Sequence, residues 1–533
     1  MHKKRLCTVY FLFLTAIALI CVRLYTIATD GSFAEKALSG QYTRRIDIAN
    51  RRGFIFDRNG VLCDMVQNGY AVFADPSEIP TGEYKEYAEK LSAHSKGDAS
   101  YYFEKLYSSV PFVSFSEKEI ELQGIKCYPL YSPINTEHFC HIVGYCNSDG
   151  NGVSGIRKAY DDALNISGTR SVSARYTANA KGAELGSTDT EIEDNGYNEK
   201  SGVYLTVDSD IQKAVEDVCT TYLEKGAVVI QDINSGEIIS CVSIPSYNTS
   251  DIISYLDSEN GELLNRAFLG YTPGSVFKTV VAASALQEDI SLIDLEYECN
   301  GYIEISGTKI SCHKKDGHGR IKMREAFSNS CNPYFISLIS HIGAENVIDT
   351  AKQMGIGRIH DIDGLYCAKG YLPDTSDMKS VDEANTAIGQ GSILVTPIEM
   401  NTVMTCAVTG NFTPPVLVEK LVTDSGDEYP ERDKKQTVLP KDTVAALRSM
   451  LCSCVNNGTG YRVKNSTVSC GGKTATAQSG QIKDGNEVIH SWFSGFFPTD
   501  TPQYAVTVLC DGNGKNNAHP SDVFRMIAES IGE

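Results

Sequence analysis

The stretch Tyr271-Thr-Pro-Gly-Ser-Val-Phe-Lys-Thr-Val-Val-Ala-Ala-Ser-Ala-Leu286 places a hydroxyl and an amine at the start of an apolar helix. Ser275 precedes Lys278 by one helical turn, so both side chains lie on the same face. Pro273 and Gly274 are typical of a turn before that helix. A serine hydroxyl is a weak nucleophile that needs a base, and a buried lysine with a lowered pKa can be that base. The stretch therefore predicts a serine nucleophile activated by a lysine.

The tetrad Ser-x-x-Lys occurs four times in this chain, so it proves nothing alone; the other three start at Ser306, Ser311 and Ser376. Two later motifs favour Ser275, namely Ser330-Cys331-Asn332 and Lys473-Thr474-Ala475. Ser-x-x-Lys, Ser-x-Asn and Lys-Thr-Gly in this order are an established signature of penicillin-binding proteins and class A β-lactamases. Over nearly its whole length the chain resembles a class B penicillin-binding protein, a monofunctional D,D-transpeptidase of the cell wall.

The resemblance implies five catalytic residues. Ser275 would be the nucleophile and Lys278 the base for acylation. Ser330 would relay a proton to the leaving amine, while Asn332 would hold Lys278 and the substrate amide. Lys473 would supply positive charge, help to keep Lys278 neutral and bind the terminal carboxylate of the substrate. Simpler alternatives exist for each motif, because Ser and Asn often cap helices and a lysine can extend from an amphipathic helix into solvent.

The resemblance also implies a substrate-binding strand made of Thr474, Ala475 and Thr476. The backbone N–H groups of Ser275 and Thr476 would form the oxyanion hole. Ala475 departs from the family pattern, which has glycine, a residue that lets a substrate backbone lie flat on the strand. The extra methyl is expected to crowd the substrate, so Ala475→Gly should acylate at least as fast as the parent.

The 17 cysteines do not follow the spacing of a small disulfide scaffold. Two lie in the N-terminal apolar segment, and the odd number that remains leaves at least one thiol unpaired in a monomer. Cys299 and Cys312, with His313 and His318, superficially resemble metal-ligand spacing. A zinc site, a disulfide and no bond at all stay open for them, and we assign no metal and no cofactor.

The N-terminus predicts a membrane anchor. His2-Lys-Lys-Arg5 precedes 17 apolar or small residues, Leu6–Val22, at the short end for a membrane span. Positive charge before the span predicts a cytoplasmic N-terminus and an extracytoplasmic remainder. A signal peptide cleaved near Thr26-Ile-Ala28 is the alternative, but Arg23 and Tyr25 crowd that site.

The length of 533 residues indicates more than one domain. We predict an anchor over 1–28, an elongated α+β pedestal over 29–200 and a transpeptidase domain over 201–533, with the polar stretch 186–202 as a loop at the boundary. Within the pedestal, the segment 51–62 indicates a strand and an Asn-Gly turn. The segment 152–164 resembles a family segment but carries Arg157 where glutamate is usual.

The last domain has predicted strands near both of its ends and helices between them. The strands are 203–208, 227–231, 237–242, 491–497 and 504–510, with the Lys473 strand beside the last pair, and helices are expected over 209–223 and 521–531. The first and last strands are expected to share one sheet. The fold class is α/β, a penicillin-binding or β-lactamase-like transpeptidase domain with an antiparallel sheet and helices.

The formal charge of −19 argues against a nucleic-acid partner, which requires a basic face. The resemblance implies a single-pass protein of the cell membrane that cross-links peptidoglycan stem peptides through an acyl-serine and is acylated by β-lactams. A membrane glycosyltransferase and other division or elongation proteins are candidate partners. One alternative is a hydrolase, either a D,D-carboxypeptidase or a β-lactamase-type enzyme. The other is a catalytically weak scaffold of the division or elongation machinery, in which Ala475 would be a sign of lost activity.

Overall fold

The computed structural model describes residues 2–29, 43–134, 137–165, 170–179, 182–184, 190–483, 485–512 and 514–532. The helices are α1 His2–Thr29, α2 Tyr84–Ala93, α3 Ala99–Tyr107, α4 Cys140–Val143, α5 Gly155–Ala159, α6 Asp161–Asn165, α7 Ser209–Tyr222, α8 Lys278–Glu288, α9 Met323–Ser328, α10 Asn332–Ile342, α11 Ala344–Gln353, α12 Ser380–Ala387, α13 Pro397–Thr409, α14 Lys441–Asn457 and α15 Pro520–Ile531. The strands are β1 Thr43–Arg51, β2 Phe54–Phe56, β3 Met65–Ala74, β4 Phe112–Ser116, β5 Ile125–Pro133, β6 Arg170–Thr177, β7 Glu191–Asn195, β8 Gly202–Leu205, β9 Gly226–Asp232, β10 Ile238–Ile244, β11 Tyr297–Cys299, β12 Tyr302–Ile305, β13 Thr308–Ser311, β14 Gly319–Ile321, β15 Asp361–Ile362, β16 Leu365–Tyr366, β17 Asn411–Phe412, β18 Val418–Thr423, β19 Gly426–Glu428, β20 Gln436–Thr437, β21 Gly471–Lys483, β22 Asn486–Phe497 and β23 Tyr504–Asp511.

The chain folds into two compact units that alternate along the sequence. The first unit comprises Met1–Arg52, Met65–Pro133 and Ile166–Glu199, and the second comprises Gly53–Asp64, Ile134–Asn165 and Lys200–Glu533. Two segments that precede residue 200 therefore fold with the second unit. The domain boundary at residue 200 stays a prediction.

The first unit has α+β character. Two three-stranded antiparallel sheets, β4-β3-β5 and β1-β6-β7, enclose a small core that includes Phe73, Tyr128 and Val172. Helices α2 and α3 pack against the first sheet, where Leu91 and Leu106 are fully buried.

The polar stretch before residue 202 contains a strand, so the prediction of a loop there was wrong for residues 191–195. Strand β7 pairs with β6 at the edge of its sheet. An edge strand needs little apolar surface, and Glu191–Asn195 keeps most of its side chains partly or fully exposed. Part of the predicted loop, 186–189, lies outside the described residues.

Helix α1 contains one segment, Thr8–Thr26, that is long and apolar enough to cross a membrane. Most of its described side chains between those residues are exposed, as expected for a surface that would face lipid.

The second unit is built on a five-stranded antiparallel sheet in the order β10-β9-β23-β22-β21. The predicted strands 227–231 and 237–242 share this sheet with 491–497 and 504–510, so the α/β fold class is confirmed, but the first predicted strand, 203–208, is not part of it. Helices α7 and α15 cover one face, with a core that includes Val215, Phe493 and Phe524. Helices α8, α10, α13 and α14 bury the largest core against the other face, around Trp492 and Phe496.

The strand predicted at 203–208 is shorter and belongs to a different sheet. Strand β8 lies in a four-stranded sheet, β19-β18-β8-β2, and pairs in parallel with Phe54–Phe56. The sequence pattern of a strand does not specify a partner that lies about 150 residues away along the chain.

In the second unit, Arg157 pairs with buried Asp64 at 3.1 Å, which gives the family-atypical arginine a structural role.

Candidate active site

The serine turn and helix α8 bring Ser275 and Lys278 together. Gly274–Phe277 is a 3₁₀ turn that leads directly into α8. A 3₁₀ turn has three residues per turn, so residues three apart eclipse each other. Lys278 Nζ lies 3.1 Å from Ser275 Oγ. The base and the nucleophile are therefore in direct contact.

Two glycines allow the serine turn to adopt its shape. Gly274 has a φ of +57°, a conformation that side chains rarely adopt. Its N–H donates to the carbonyl of Gly389 at 2.8 Å. A Cβ on Gly389 would lie 2.1 Å from the Gly274 carbonyl oxygen, so only glycine fits there. The segment around Gly389 thus supports the turn that carries the nucleophile.

Lys278 is fully buried, and its Nζ lies within hydrogen-bond distance of several oxygens. Its Nζ lies 2.9 Å from the Ser330 carbonyl oxygen and 2.7 Å from Asn332 Oδ1. Burial first, and the charge of Lys473 second, hold the pKa of Lys278 well below its usual value. A neutral amine has two N–H donors and one lone pair, and these two oxygens can only accept. The lone pair is therefore left for the hydroxyl proton of Ser275.

Ser330 lies between the two lysines. Its Oγ lies 3.3 Å from Lys278 Nζ and 3.1 Å from Lys473 Nζ. Its backbone has a φ of +54°, which is unusual outside glycine and typical of functional sites. Lys473 is also fully buried, donates to the Thr474 carbonyl at 3.0 Å, and has its pKa lowered by burial. This arrangement joins Ser275, both lysines and Ser330 in one chain of hydrogen bonds.

Strand β21 forms one side of the site. Thr474 Oγ1 lies 2.6 Å from Thr459 Oγ1, and Thr476 is exposed. A Cβ on Gly274 would lie 3.1 Å from the Thr476 carbonyl oxygen, which shows how closely the serine turn packs on the strand. Ala475 is only 3% exposed and belongs to the main core, so very little of its methyl can meet a substrate.

A cavity of about 390 Å³ opens at these residues. It is lined by Ser275, His313, Ser330, Asn332, Thr459, Tyr461, Arg462, Thr474, Ala475, Thr476 and His519. Six of these were predicted from sequence, while His313, Thr459, Tyr461, Arg462 and His519 were not assigned to the active site. Thr459, Tyr461 and Arg462 lie in the connection between α14 and β21, and His519 directly precedes α15. These connections carry no local catalytic pattern.

A second cluster lies next to this cavity. The thiols of Cys299, Cys312 and Cys331 and the imidazole of His318 place one ligand atom each within 4.8 Å of one another. The Cys312 sulfur lies 3.5 Å from His318 Nδ1. A zinc ion with sulfur bonds of 2.3 Å would space tetrahedral sulfur ligands about 3.8 Å apart, so the four atoms suit such an ion.

The structure therefore favours the metal alternative for these residues over a disulfide. Three thiols and one imidazole are a common structural zinc set, and His313 is not among the four. The S–H of Cys331 lowers the pKa of the Cys312 thiol, and a thiolate is the form that binds metal. Sequence reasoning missed Cys331 because it lies inside the Ser-x-Asn motif and far along the chain from Cys299.

The chain is similar to known proteins over most of its length. A family model described as the penicillin binding protein transpeptidase domain matches residues 226–529. Stage V sporulation protein D of Bacillus subtilis is 29% identical over 550 residues, which cover 96% of this chain and 82% of that protein. The peptidoglycan D,D-transpeptidase MrdA of Acinetobacter baumannii is 25% identical over 553 residues, covering 89% of this chain and 79% of that protein.

A solved structure is similar in fold over most of the chain. It is the complex between the penicillin-binding protein PBP2 and MreC from Helicobacter pylori, which has a TM-score of 0.65 and 22% identity. The match covers 92% of this chain and 98% of that one.

Proposed function

The chain belongs to the penicillin-binding protein transpeptidase family, and we propose that it is a peptidoglycan D,D-transpeptidase that works through an acyl enzyme on Ser275. The observation that carries this proposal is the 3.1 Å contact between Ser275 Oγ and the Nζ of Lys278. A buried lysine whose pKa is lowered is a base, and a base in contact is what a serine needs to attack a carbonyl.

Acylation follows from the hydrogen bonds of the site. Ser275 Oγ attacks the carbonyl carbon of the penultimate D-alanine, and its proton passes to the lone pair of Lys278. The negative charge that develops on the carbonyl oxygen is held by the backbone N–H groups of Ser275 and Thr476. The C–N bond then breaks, and the proton returns from Lys278 to the departing D-alanine nitrogen through Ser330 Oγ.

Deacylation reverses these steps with a new amine. The amine of a neighbouring stem peptide attacks the acyl carbon and gives a proton to Lys278 through Ser330. The bond to Ser275 Oγ breaks as the cross-link forms, and Lys278 returns the proton to Ser275 Oγ. A β-lactam enters the first half of this sequence, because its strained amide is attacked by the same hydroxyl.

The lining of the cavity favours transfer over hydrolysis. Fast hydrolysis of an acyl enzyme needs a base that activates water, commonly a carboxylate. Among the described residues, no aspartate or glutamate lines this cavity. A chromogenic β-lactam is therefore expected to react once per enzyme and then turn over slowly; fast steady turnover would instead identify a hydrolase.

The membrane segment and the relatives support an anchored protein. We infer that the N-terminus is cytoplasmic, since basic residues precede the span, and that the chain after the span is extracytoplasmic. The related PBP2 was solved with MreC, which supports a role for partner proteins here too; a membrane glycosyltransferase and division or elongation proteins remain our candidates.

Labelling of the full-length chain in membranes with fluorescent penicillin tests the proposal. The parent should be labelled, and Ser275→Ala should lose the label entirely. Ser376→Ala, which removes the serine of another Ser-x-x-Lys tetrad, is the matched control and should keep it. An unlabelled parent would favour the scaffold alternative, and a labelled Ser275→Ala would remove the assigned nucleophile.

A further inference from the structure

The catalytic cavity contains a basic group that the motifs do not explain. Both motif lysines are fully buried, and neither lines the cavity among the described residues. In its described hydrogen bonds, Lys473 Nζ donates to Ser330 Oγ and to the Thr474 carbonyl oxygen. Lys473 therefore has no exposed ammonium group with which to make the expected direct contact to a substrate carboxylate. Arg462 is the lining residue with a permanent positive charge.

Arg462 is held in place but keeps donors for a ligand. Its Nη1 donates to Asp522 Oδ2 at 3.2 Å, and 43% of its side chain stays exposed. A guanidinium has five N–H donors, so one hydrogen bond leaves several that can bind a carboxylate in bidentate geometry. Arg462 lies in the turn Tyr461–Val463, just after Thr459.

His519 lies beside this arginine and offers a further donor. Asp522 Oδ2, which accepts from Arg462, also accepts from the His519 backbone N–H at 3.1 Å. His519 Nδ1 accepts from the backbone N–H of Ser521 at 3.2 Å, so the neutral ring carries its proton on Nε2. Burial lowers the pKa of His519, which keeps the ring in this neutral form.

We propose that Arg462 and His519 form the carboxylate-recognition end of the catalytic cavity. Their ligand is the terminal carboxylate of a peptide that ends in a D-amino acid, and the corresponding carboxylate of a β-lactam. Thr474 and Thr476 position the same group from strand β21. This inference rests on the proposed function, and it assigns to Lys473 an electrostatic role on Ser330 and Lys278 instead of substrate contact.

The test compares acylation by benzylpenicillin with acylation by its methyl ester, which lacks the negative charge. The parent should react much faster with the acid than with the ester. Arg462→Gln should lower the rate with the acid by about tenfold or more, the size expected for a charge-assisted hydrogen bond, and leave the rate with the ester unchanged. His519→Gln should show the same selective loss, to a smaller degree.

The ratio of the two rates makes the test independent of how much protein is folded. Arg462→Lys keeps a positive charge and should retain part of the preference. Arg525→Gln on helix α15, whose arginine pairs with Glu529, is the matched control and should keep the parent ratio. An unchanged ratio in Arg462→Gln, or an equal loss with acid and ester, would overturn the inference. A parent that reacts with neither compound would instead contradict the proposed function.

Discussion

Lys278 and Lys473 show how burial and charge set the chemistry of single residues. As an ammonium, Lys278 would have to lose its hydration in a fully buried position beside the positive charge of Lys473, and both effects favour its neutral amine. The two oxygens that accept from Lys278 occupy its two N–H donors, which leaves the lone pair for Ser275 Oγ, the nearer of the two serine hydroxyls around this amine. Ala475, by contrast, lines the cavity but has a side chain that is only 3% exposed and belongs to the main core.

The first prediction concerns the pH dependence of acylation. Lys278 must be neutral to act as the base, so the acylation rate should rise as the pH passes upward through its lowered pKa. Lys473→Met removes a neighbouring positive charge, which raises the pKa of Lys278 and should move this rise to higher pH. Penicillin acylation rates measured across pH give the midpoint, and Lys352→Met is the control for a surface lysine. A midpoint that stays or moves to lower pH in Lys473→Met would contradict the assigned roles.

The second prediction concerns Ala475→Gly. Because 3% of the side chain is exposed, its removal relieves almost no contact with a substrate, and the acylation rate should equal that of the parent. A glycine inside a strand costs roughly 0.5–1 kcal/mol of stability relative to alanine, so the Tm should fall. A marked gain in rate would show that the methyl does crowd the substrate, and a large loss would contradict both the structure and the sequence-based expectation.

At the scale of elements, two small hairpins are tied to the catalytic loop. Strand β11 pairs with β14 and β12 pairs with β13, and the Asn332 side chain donates to the Ser311 carbonyl at 3.3 Å. Cys331 follows Ser330 directly, so an ion shared by the four ligands would fix the Ser-x-Asn loop to these hairpins. Metal binding at such a site contributes to folding stability, because the unfolded chain holds no preformed site.

The third prediction follows from this cluster. The purified protein is expected to contain one equivalent of zinc, measured by elemental analysis, and a strong chelator should lower both its Tm and its rate of penicillin labelling. Cys299→Ser should remove the zinc and make the Tm insensitive to the chelator. Cys299 is chosen because it does not adjoin the catalytic motif.

Cys452→Ser provides the matched control, since it removes a partly buried thiol outside the cluster. It should keep the zinc and the response to the chelator. A parent without bound metal, or a Cys299→Ser variant that keeps its metal, would exclude the site.

At the scale of the whole molecule, an anchor precedes units that carry their own cores. The apolar segment Thr8–Thr26 lies apart from the five cores of the described residues. The second unit builds its cores on both faces of its main sheet and contains every motif residue of the site. The proposed chemistry is therefore complete within one unit.

The fourth prediction concerns topology in the membrane. External protease should degrade the chain in intact protoplasts but spare an N-terminal tag, since basic residues before the span favour a cytoplasmic N-terminus. Detergent lysis should expose the tag as well. A chain that is protected in intact protoplasts would reverse the inferred orientation.

The sequence determined the parts of this protein that depend on local spacing. Ser275 and Lys278 are three residues apart, so any tight helical turn brings them together. Short apolar runs such as Ala227-Val-Val-Ile-Gln231 predicted strands of the main sheet. The order of the three motifs predicted the family. The edge strand β7 was missed because a strand with little burial has no apolar alternation to reveal it.

The contacts between residues far apart along the chain depend on the tertiary fold. Cys331 joins Cys299 and His318, Arg462 enters the catalytic cavity, and β8 pairs with a segment far upstream; each contact depends on chain paths between elements. The charge state of Lys278 is likewise a tertiary property, because it arises from burial first and from the neighbouring charge of Lys473 second. Spacing along the chain fixes local geometry, whereas packing fixes hydration and the neighbours that set a pKa.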